Sequence, residues 1–301
     1  MIVWLASYPR SGNTLLRTIL HQHFGLDSFS REQGNSEPPG FTKVTREACG
    51  HKDISCDWDL FYQQADQSSS MTLIKTHRPP IDRNKAIYIL RDGRSAYASY
   101  AKYHTSFIKD KTQSLLGLIL GLDFYGGWSE NYRVWTMAQN PLLILRYENL
   151  TAPDQATITA IADFLDLPEP EGNWKNPFAE LQKESPDFFR KGCSFWEKTD
   201  DWSEFIDSVF FFFHGELMCE LGYVNETEFD QAQRRLSPDL KILFNIIRQL
   251  IRDFNNCNKV CLDRQAVIDG LKQICDERLA LIKSLHDEAE KRMAIIRIMK
   301  G

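Results

Sequence analysis

The residues of this chain best suited to moving a charged group stand where apolar runs end. In "LIKTHRPP", Leu73 to Pro80, Lys75 and His77 lie two positions apart at the end of such a run, so both side chains leave a strand on one side. A histidine with an ordinary pKa of about 6.5 takes a proton at neutral pH, and a neighbouring lysine offsets charge that develops on a transferred group. In "SYPRSGNT", Ser7 to Thr14, a small-residue turn follows the apolar run Ile2 to Ala6 and precedes a helix-like stretch, Leu15 to Phe24. Gly12 and Thr14 occupy the second-glycine and hydroxyl positions of a phosphate loop, while Ser7 replaces its first glycine and Asn13 its lysine. Backbone N–H groups at the start of the following helix still cradle an anion, with Ser11 and Arg10 inside the turn and Arg10 supplying the positive charge.

Two further groups have the same character. "ILRDGRSAYASY", Ile89 to Tyr100, ends an apolar run at Arg91 and sets Ser95 and Ser99 one helical turn apart. Arg91 and Ser99 together suit a second phosphate, the arginine through its fork of donors and the serine through its hydroxyl. "FRKGCSFW", Phe189 to Trp196, gathers Arg190, Lys191 and Gly192, which taken alone is an ordinary surface basic pair.

These groups need rigid elements behind them. Ile2 to Ala6, Met71 to Lys75, Ala86 to Arg91 and Pro141 to Tyr147 read as buried strands, apolar and without alternation. Helical patterns lie between them. The expected fold is therefore α/β, P-loop-like and three-layered around a central parallel sheet, with ligand loops at the carboxyl ends of the strands. Residues 28 to 70 read as a polar excursion over that face. Thr151 to Leu165 reads as a helix. "SLLGLILGLDFYGGW", Ser114 to Trp128, is either a core helix or the lining of an apolar acceptor pocket, and Tyr103, Phe107, Phe124 and Trp128 would suit a sugar face or a lipid-like alcohol.

After Tyr223 the composition changes. Steps of seven from Ile247 meet Phe254, Cys261, Ile268, Cys275, Ile282, Ala289 and Ile296. The companion series runs Leu243, Leu250, Cys257, Leu271, Leu285 and Met299, broken by Arg264, Arg278 and Arg292. Such a seam predicts a coiled coil and a possible homo-oligomer; the alternative is an amphipathic hairpin turning at Asn255 to Asn258. The expected division is a catalytic domain over residues 1–224 and a helical extension over 225–301.

Composition sets the outer limits. The chain has 301 residues, 43% of them hydrophobic, and a formal net charge of −5, so no global basic field recruits nucleic acid and any anion site must be local. The apolar stretches are too short to span a bilayer, and the start lacks the basic flank of a signal segment, which predicts a cytoplasmic protein. The seven cysteines show no zinc spacing and read as reduced, small apolar residues.

The order SYPRSGNT, KTH, R-x7-S, LRYENL and RKG, across roughly Met1 to Tyr223, resembles the PAPS-dependent sulfotransferases. The resemblance implies that Arg10, Ser11, Gly12, Asn13 and Thr14 hold the 5′-phosphosulfate of 3′-phosphoadenosine 5′-phosphosulfate (PAPS). It implies further that Arg91, Ser99, Arg190, Lys191 and Gly192 hold the 3′-phosphate, that Tyr147 lies near the adenine, and that His77 is the catalytic base with Lys75 beside the sulfonate. Members acting on phenols and steroids carry lysine where this chain has Arg10 and tryptophan where it has Leu15; arginine belongs to the carbohydrate and bacterial branches. "CSFWEKTDDW" stands in place of the usual GDWK.

The implied reaction is transfer of a sulfuryl group to a hydroxyl of a sugar, small-molecule or lipid alcohol, leaving 3′-phosphoadenosine 5′-phosphate (PAP). It needs no metal, because a sulfonate carries less charge than a γ-phosphate. The alternatives are a P-loop nucleotide or small-molecule kinase, which requires magnesium, and a coiled-coil scaffold carrying a degenerate anion-binding domain.

Overall fold

The computed structural model describes residues 1–32, 40–108, 114–170, 175–189 and 195–300. The elements in chain order are strand β1 (Ile2–Ser7), helix α1 (Asn13–Phe24), β2 (Ser28–Ser30), α2 (Lys43–Ala48), α3 (Trp58–Gln67), β3 (Thr72–Thr76) and β4 (Lys85–Leu90). Next come α4 (Gly93–Tyr103), continued by a π-helical turn over His104–Ile108, then α5 (Leu115–Ile119), α6 (Trp128–Met137), β5 (Leu142–Arg146), α7 (Tyr147–Leu150) and α8 (Gln155–Leu165). The chain ends with α9 (Phe178–Glu184), α10 (Glu204–Glu220), α11 (Glu226–Arg234) and α12 (Pro238–Lys300).

The sheet has five parallel strands in the order β2-β3-β1-β4-β5. Helices fill the connections β1–β2, β2–β3 and β4–β5, while β3 reaches β4, on the other side of β1, through residues 77–84 without one. Alternate strand residues face opposite sides. Val3, Leu5, Leu73, Ile87, Ile89 and Leu145 pack with Leu16, Ile19 and Leu20 of α1 and with Ile158, Ile161 and Leu165 of α8. On the other face the Tyr88 hydroxyl donates to Asn131 of α6 at 2.8 Å, and the Trp4 ring lies 6.4 Å from both Trp58 and Tyr62 of α3. The result is the expected three-layer arrangement, with all strand ends that precede the anion motifs at one edge.

The polar excursion has its own structure. β2 adds a short edge strand, in register Ser28 to Leu73 and Ser30 to Lys75, and α2 and α3 begin at Thr42 and Asp57, whose side chains accept from backbone N–H groups of the first turn. "SLLGLILGL" forms only the short helix α5, which buries Leu118 and Ile119 and leaves Leu122 57% exposed. Glycine at 121, with φ 74°, ends it.

Met1–Lys241 is one compact unit, and a second begins at Ile242. Helix α12 is continuous for 63 residues and runs through Asn255–Asn258 without a turn. Its heptad positions Leu250, Phe254, Ile268, Leu271, Ile282 and Leu285 are exposed, as are Val260, Val267, Ile274 and Leu281, each one position before the Ile247 series. Among the described residues no helix is long and apolar enough to cross a membrane.

Asp82, at the β3–β4 connection, is the main polar staple under the sheet. Its carboxylate accepts from Trp4 Nε1 at 2.9 Å, from the Tyr62 hydroxyl at 2.8 Å and from the Asn84 backbone N–H at 2.8 Å. Substitution Asp82→Ala strands a donor on the buried Trp4 and is expected to lower stability by about 3 kcal/mol in urea denaturation. A loss under about 1 kcal/mol would show that the staple is dispensable.

Candidate functional site

The exits of β1, β3, β4 and β5 converge on a cavity of about 1020 Å³ lined by Arg10, Gly12, Asn13, Thr14, Lys75, His77, Arg91, Ser99 and Tyr147 among others. Its floor is the turn after β1. There Arg10 and Gly12 both have positive φ, 63° and 104°, a bend that glycine takes readily and that strains an arginine. A Cβ on Gly12 would collide with the ring of Tyr147, so both the dihedral and the space select glycine. The turn leads into α1, whose first turn holds no acidic residue and whose N-cap offers no side-chain acceptor. The leading N–H groups thus keep their capacity for an anion.

Asn13 faces the other way. Its Nδ2 donates to the Leu5 carbonyl at 2.8 Å and contacts Ser7 Oγ at 3.3 Å. The amide that replaces the phosphate-loop lysine thus ties the turn to β1, with only the backbone of Asn13 left to the anion. Ser11 is buried and its hydroxyl has no hydrogen-bond partner among the described residues. Thr14 lines the cavity, and its carbonyl accepts from Thr18 Oγ1.

The pairing Ala6 with Thr76 sets Ser7 beside His77. His77 Nδ1 lies 2.8 Å from the Ser7 carbonyl. A carbonyl only accepts, so Nδ1 carries the hydrogen and Nε2 is a lone pair. Burial, reinforced by Lys75 and Arg10, pulls the His77 pKa down to about 3 against the opposing pull of Glu32 and the Ser7 carbonyl. The imidazole is therefore neutral at pH 7.

Glu32 is the site residue that the motifs did not reveal. Its Oε2 lies 3.2 Å from Lys75 Nζ, while Oε1 accepts from the His77 backbone N–H at 2.6 Å and from Thr76 Oγ1 at 3.0 Å. Burial alone would raise this carboxyl, but Lys75 and the region around His77 outweigh it and hold the pKa at about 2. Burial lowers the Lys75 pKa and Glu32 counters it. Recognising Ser28–Ser30 as a strand would have found Glu32, since its register with β3 carries residue 32 alongside residue 77.

On the opposite side, Arg91 Nη1 donates to the Arg10 carbonyl at 2.9 Å, and its guanidinium lies 4.1 Å from the Tyr147 ring centroid. Arg10 Nε donates to Ser99 Oγ at 3.3 Å, its Nη2 donates to the Phe188 carbonyl at 2.5 Å, and its guanidinium sits over the rings of Phe188 and Tyr103. Arg10, Arg91, Ser99 and Tyr147 thus form one network. Arg190, Lys191 and Gly192 lie outside the described residues. Of the candidate acceptor aromatics, Tyr103 lines the cavity, Phe124 is 71% exposed, and Trp128 is buried with Nε1 donating to the Arg91 carbonyl. Phe107 packs with Tyr103 and Phe188. Tyr125 also lines the cavity, 5.5 Å from His77.

The sulfotransferase domain family matches residues 2–203, which spans every strand of this sheet and each described motif. The chain belongs to the sulfotransferase family. Solved structures similar to this sulfotransferase include mouse sulfotransferase SULT7A1 complexed with PAP, at 16% identity over 81% of this chain and 86% of that one, with a TM-score of 0.44. Another is retinol dehydratase in complex with androsterone and inactive cofactor PAP, at 17% identity over 77% of this chain and 78% of that one, with a TM-score of 0.38. No curated protein sequence matches the chain.

The electrostatics of this sulfotransferase give a pH prediction. The folded His77 resists a proton until about pH 3, whereas the unfolded histidine takes one near 6.5. Unfolding therefore gains protons and stability falls as pH drops below 6.5; Glu32 adds a second loss from 4.5 down to about 2. Nitrogen-15 NMR should find His77 neutral with hydrogen on Nδ1 from pH 8 to below 5. A midpoint near 6.5 would contradict the geometry.

Proposed function

We propose that this sulfotransferase moves the sulfuryl group of PAPS to an acceptor hydroxyl, with His77 as general base. The observation that carries the reading is the fixed tautomer of His77. Its Nδ1–H is committed to Ser7, and Nε2 has no hydrogen-bond partner among the described residues, in a cavity that also holds the anion turn. The residues present suit the donor. The Gly12 turn and α1 amides receive the 5′-phosphate with Arg10, Lys75 lies beside the sulfonate, and Arg91 with Ser99 takes the 3′-phosphate, joined by Arg190, Lys191 and Gly192. Tyr147 offers the adenine an aromatic edge.

PAPS supplies an activated sulfuryl group on a phosphate leaving group. In the transfer a bond forms from the acceptor oxygen to sulfur in line with the breaking bond to the 5′-phosphate oxygen. His77 Nε2 takes the hydroxyl proton, and Arg10 with the α1 N-terminus stabilises the charge left on PAP. A base with a pKa of about 3 is weak, chiefly because it is buried, but the further lowering by Lys75 and Arg10 is what the donor's anionic groups offset. The donor's negative charge thus acts to raise the basicity of His77 against the cationic part of that lowering. The acceptor is a sugar or a small-molecule or lipid alcohol, and the free thiols of the six described cysteines suit a cytoplasmic enzyme.

His77→Ala is expected to cut transfer from labelled PAPS by more than 10³-fold while leaving PAP affinity within a factor of about three. PAP without magnesium should raise the melting temperature more than ATP with magnesium. Retained turnover in the variant, or a larger shift with ATP and magnesium, would overturn the assignment in favour of another base or of a kinase.

We infer also that α12 self-associates as a coiled coil, because its exposed heptad positions form an apolar seam on one continuous helix. Sedimentation equilibrium of the 34.9 kDa chain should give a multiple of that mass, reduced by Ile268→Glu with Leu271→Glu. A monomer at micromolar concentration would refute self-association.

A further inference from the structure

Arg17 is a buried cation for which the sulfuryl-transfer scheme has no use. It sits on α1 one helical turn beyond Asn13, is 3% exposed, and lines the cavity. Its described partners are neutral. Nε donates to Ser28 Oγ at 2.7 Å and Nη2 to His51 Nδ1 at 2.6 Å, while Nη1 has no hydrogen-bond partner among the described residues. His51 accepts because burial, reinforced by Arg17 and Arg46, lowers its pKa to about 4, and its Nε2 faces Asp53 at 3.6 Å. The two bonds, to Ser28 and to His51, hold the guanidinium in one orientation. No carboxylate lies within ion-pair distance of Arg17 among the described residues. The nearby Glu32 is already engaged with Lys75, Thr76 and the His77 backbone.

Burying a guanidinium without an anion is unfavourable, and packing alone would be served as well by methionine. The sheet order shows which half of the cavity it serves. Arg91 and Tyr147 follow β4 and β5, whereas Arg17 is bonded to β2, on the far side of β1 and β3 and beyond Lys75 and His77. Arg17 and Arg10 both depress the Lys75 pKa, so Arg17 stands within electrostatic reach of the reacting centre. The Phe41 ring, 5.8 Å from its guanidinium, closes one side.

We propose that the acceptor carries, besides the hydroxyl that is sulfated, an anionic oxygen group that docks on Arg17. The inference rests on the sulfuryl-transfer reading and narrows its acceptor to hydroxyl compounds bearing a carboxylate or a sulfate ester. A preorganised arginine with a free edge suits either oxyanion.

Matched acceptors test it on the full-length enzyme saturated with PAP. Binding of methyl glucuronide, methyl glucoside 6-sulfate and methyl glucoside, and of 4-hydroxybenzoate against 4-hydroxybenzamide, is measured by calorimetry, and transfer to each from labelled PAPS is then followed. The anionic member of at least one set should bind tenfold or more tighter than its neutral partner, and the two glucose derivatives separate carboxylate from sulfate. In Arg17→Met that advantage should fall to within threefold while PAP affinity is unchanged; Arg17→Lys should keep part of it.

Equal binding of charged and neutral partners, an advantage that survives Arg17→Met, or no binding of any member would overturn the proposal. Should Arg17→Met fail to fold, the wild-type ratios and Arg17→Lys decide. Failure of the underlying reading looks different, because PAP itself would then not bind.

Discussion

The hydrogen bond from His77 Nδ1 to the Ser7 carbonyl is the contact on which the rest of the site depends. It joins the exit of β3 to the exit of β1, so the proposed base and the anion turn cannot move independently. It also decides chemistry, because a donor at Nδ1 makes Nε2 the only ring atom that can accept a proton. The contact exists because parallel strands pair Ala6 with Thr76; a slip of one residue would turn His77 to the other face. Asn13 serves the same end from the helix side by bonding the Leu5 carbonyl. The position that holds a catalytic lysine in triphosphate-binding loops here fastens the loop to the sheet.

Around this joint the protein gathers positive charge. Arg10, Arg17, Lys75 and Arg91 line one cavity, and Glu32 answers only Lys75 directly. Lys75 and Arg10 add to burial, the larger cause, in lowering the pKa of His77.

The strands that carry β1, β3, β4 and β5 were legible from their apolar runs, and the anion turn from the spacing of Gly12 and Thr14. Lys75, His77, Arg91, Ser99 and Tyr147 do meet in one cavity, because parallel strands deliver their exits to one edge. What escaped notice lay where local pattern is weak. β2 is three residues long in a polar stretch, too short for periodicity, and without it neither Glu32 nor the partner of Arg17 has an address. The apolar run at Ser114 stops as a helix after one turn and a half because Gly121 reverses the chain. The heptads after Ile242 were plain because the helix is long, and length is what makes a period readable.

One feature of the turn links it to a distant part of the chain. Arg10 has its Nη2 on the carbonyl of Phe188 and its guanidinium over the Phe188 ring, 178 residues away in sequence. The residue that supplies the turn's positive charge is thus fastened to the stretch that follows α9, so the shape of the anion turn depends on a contact made outside the sheet.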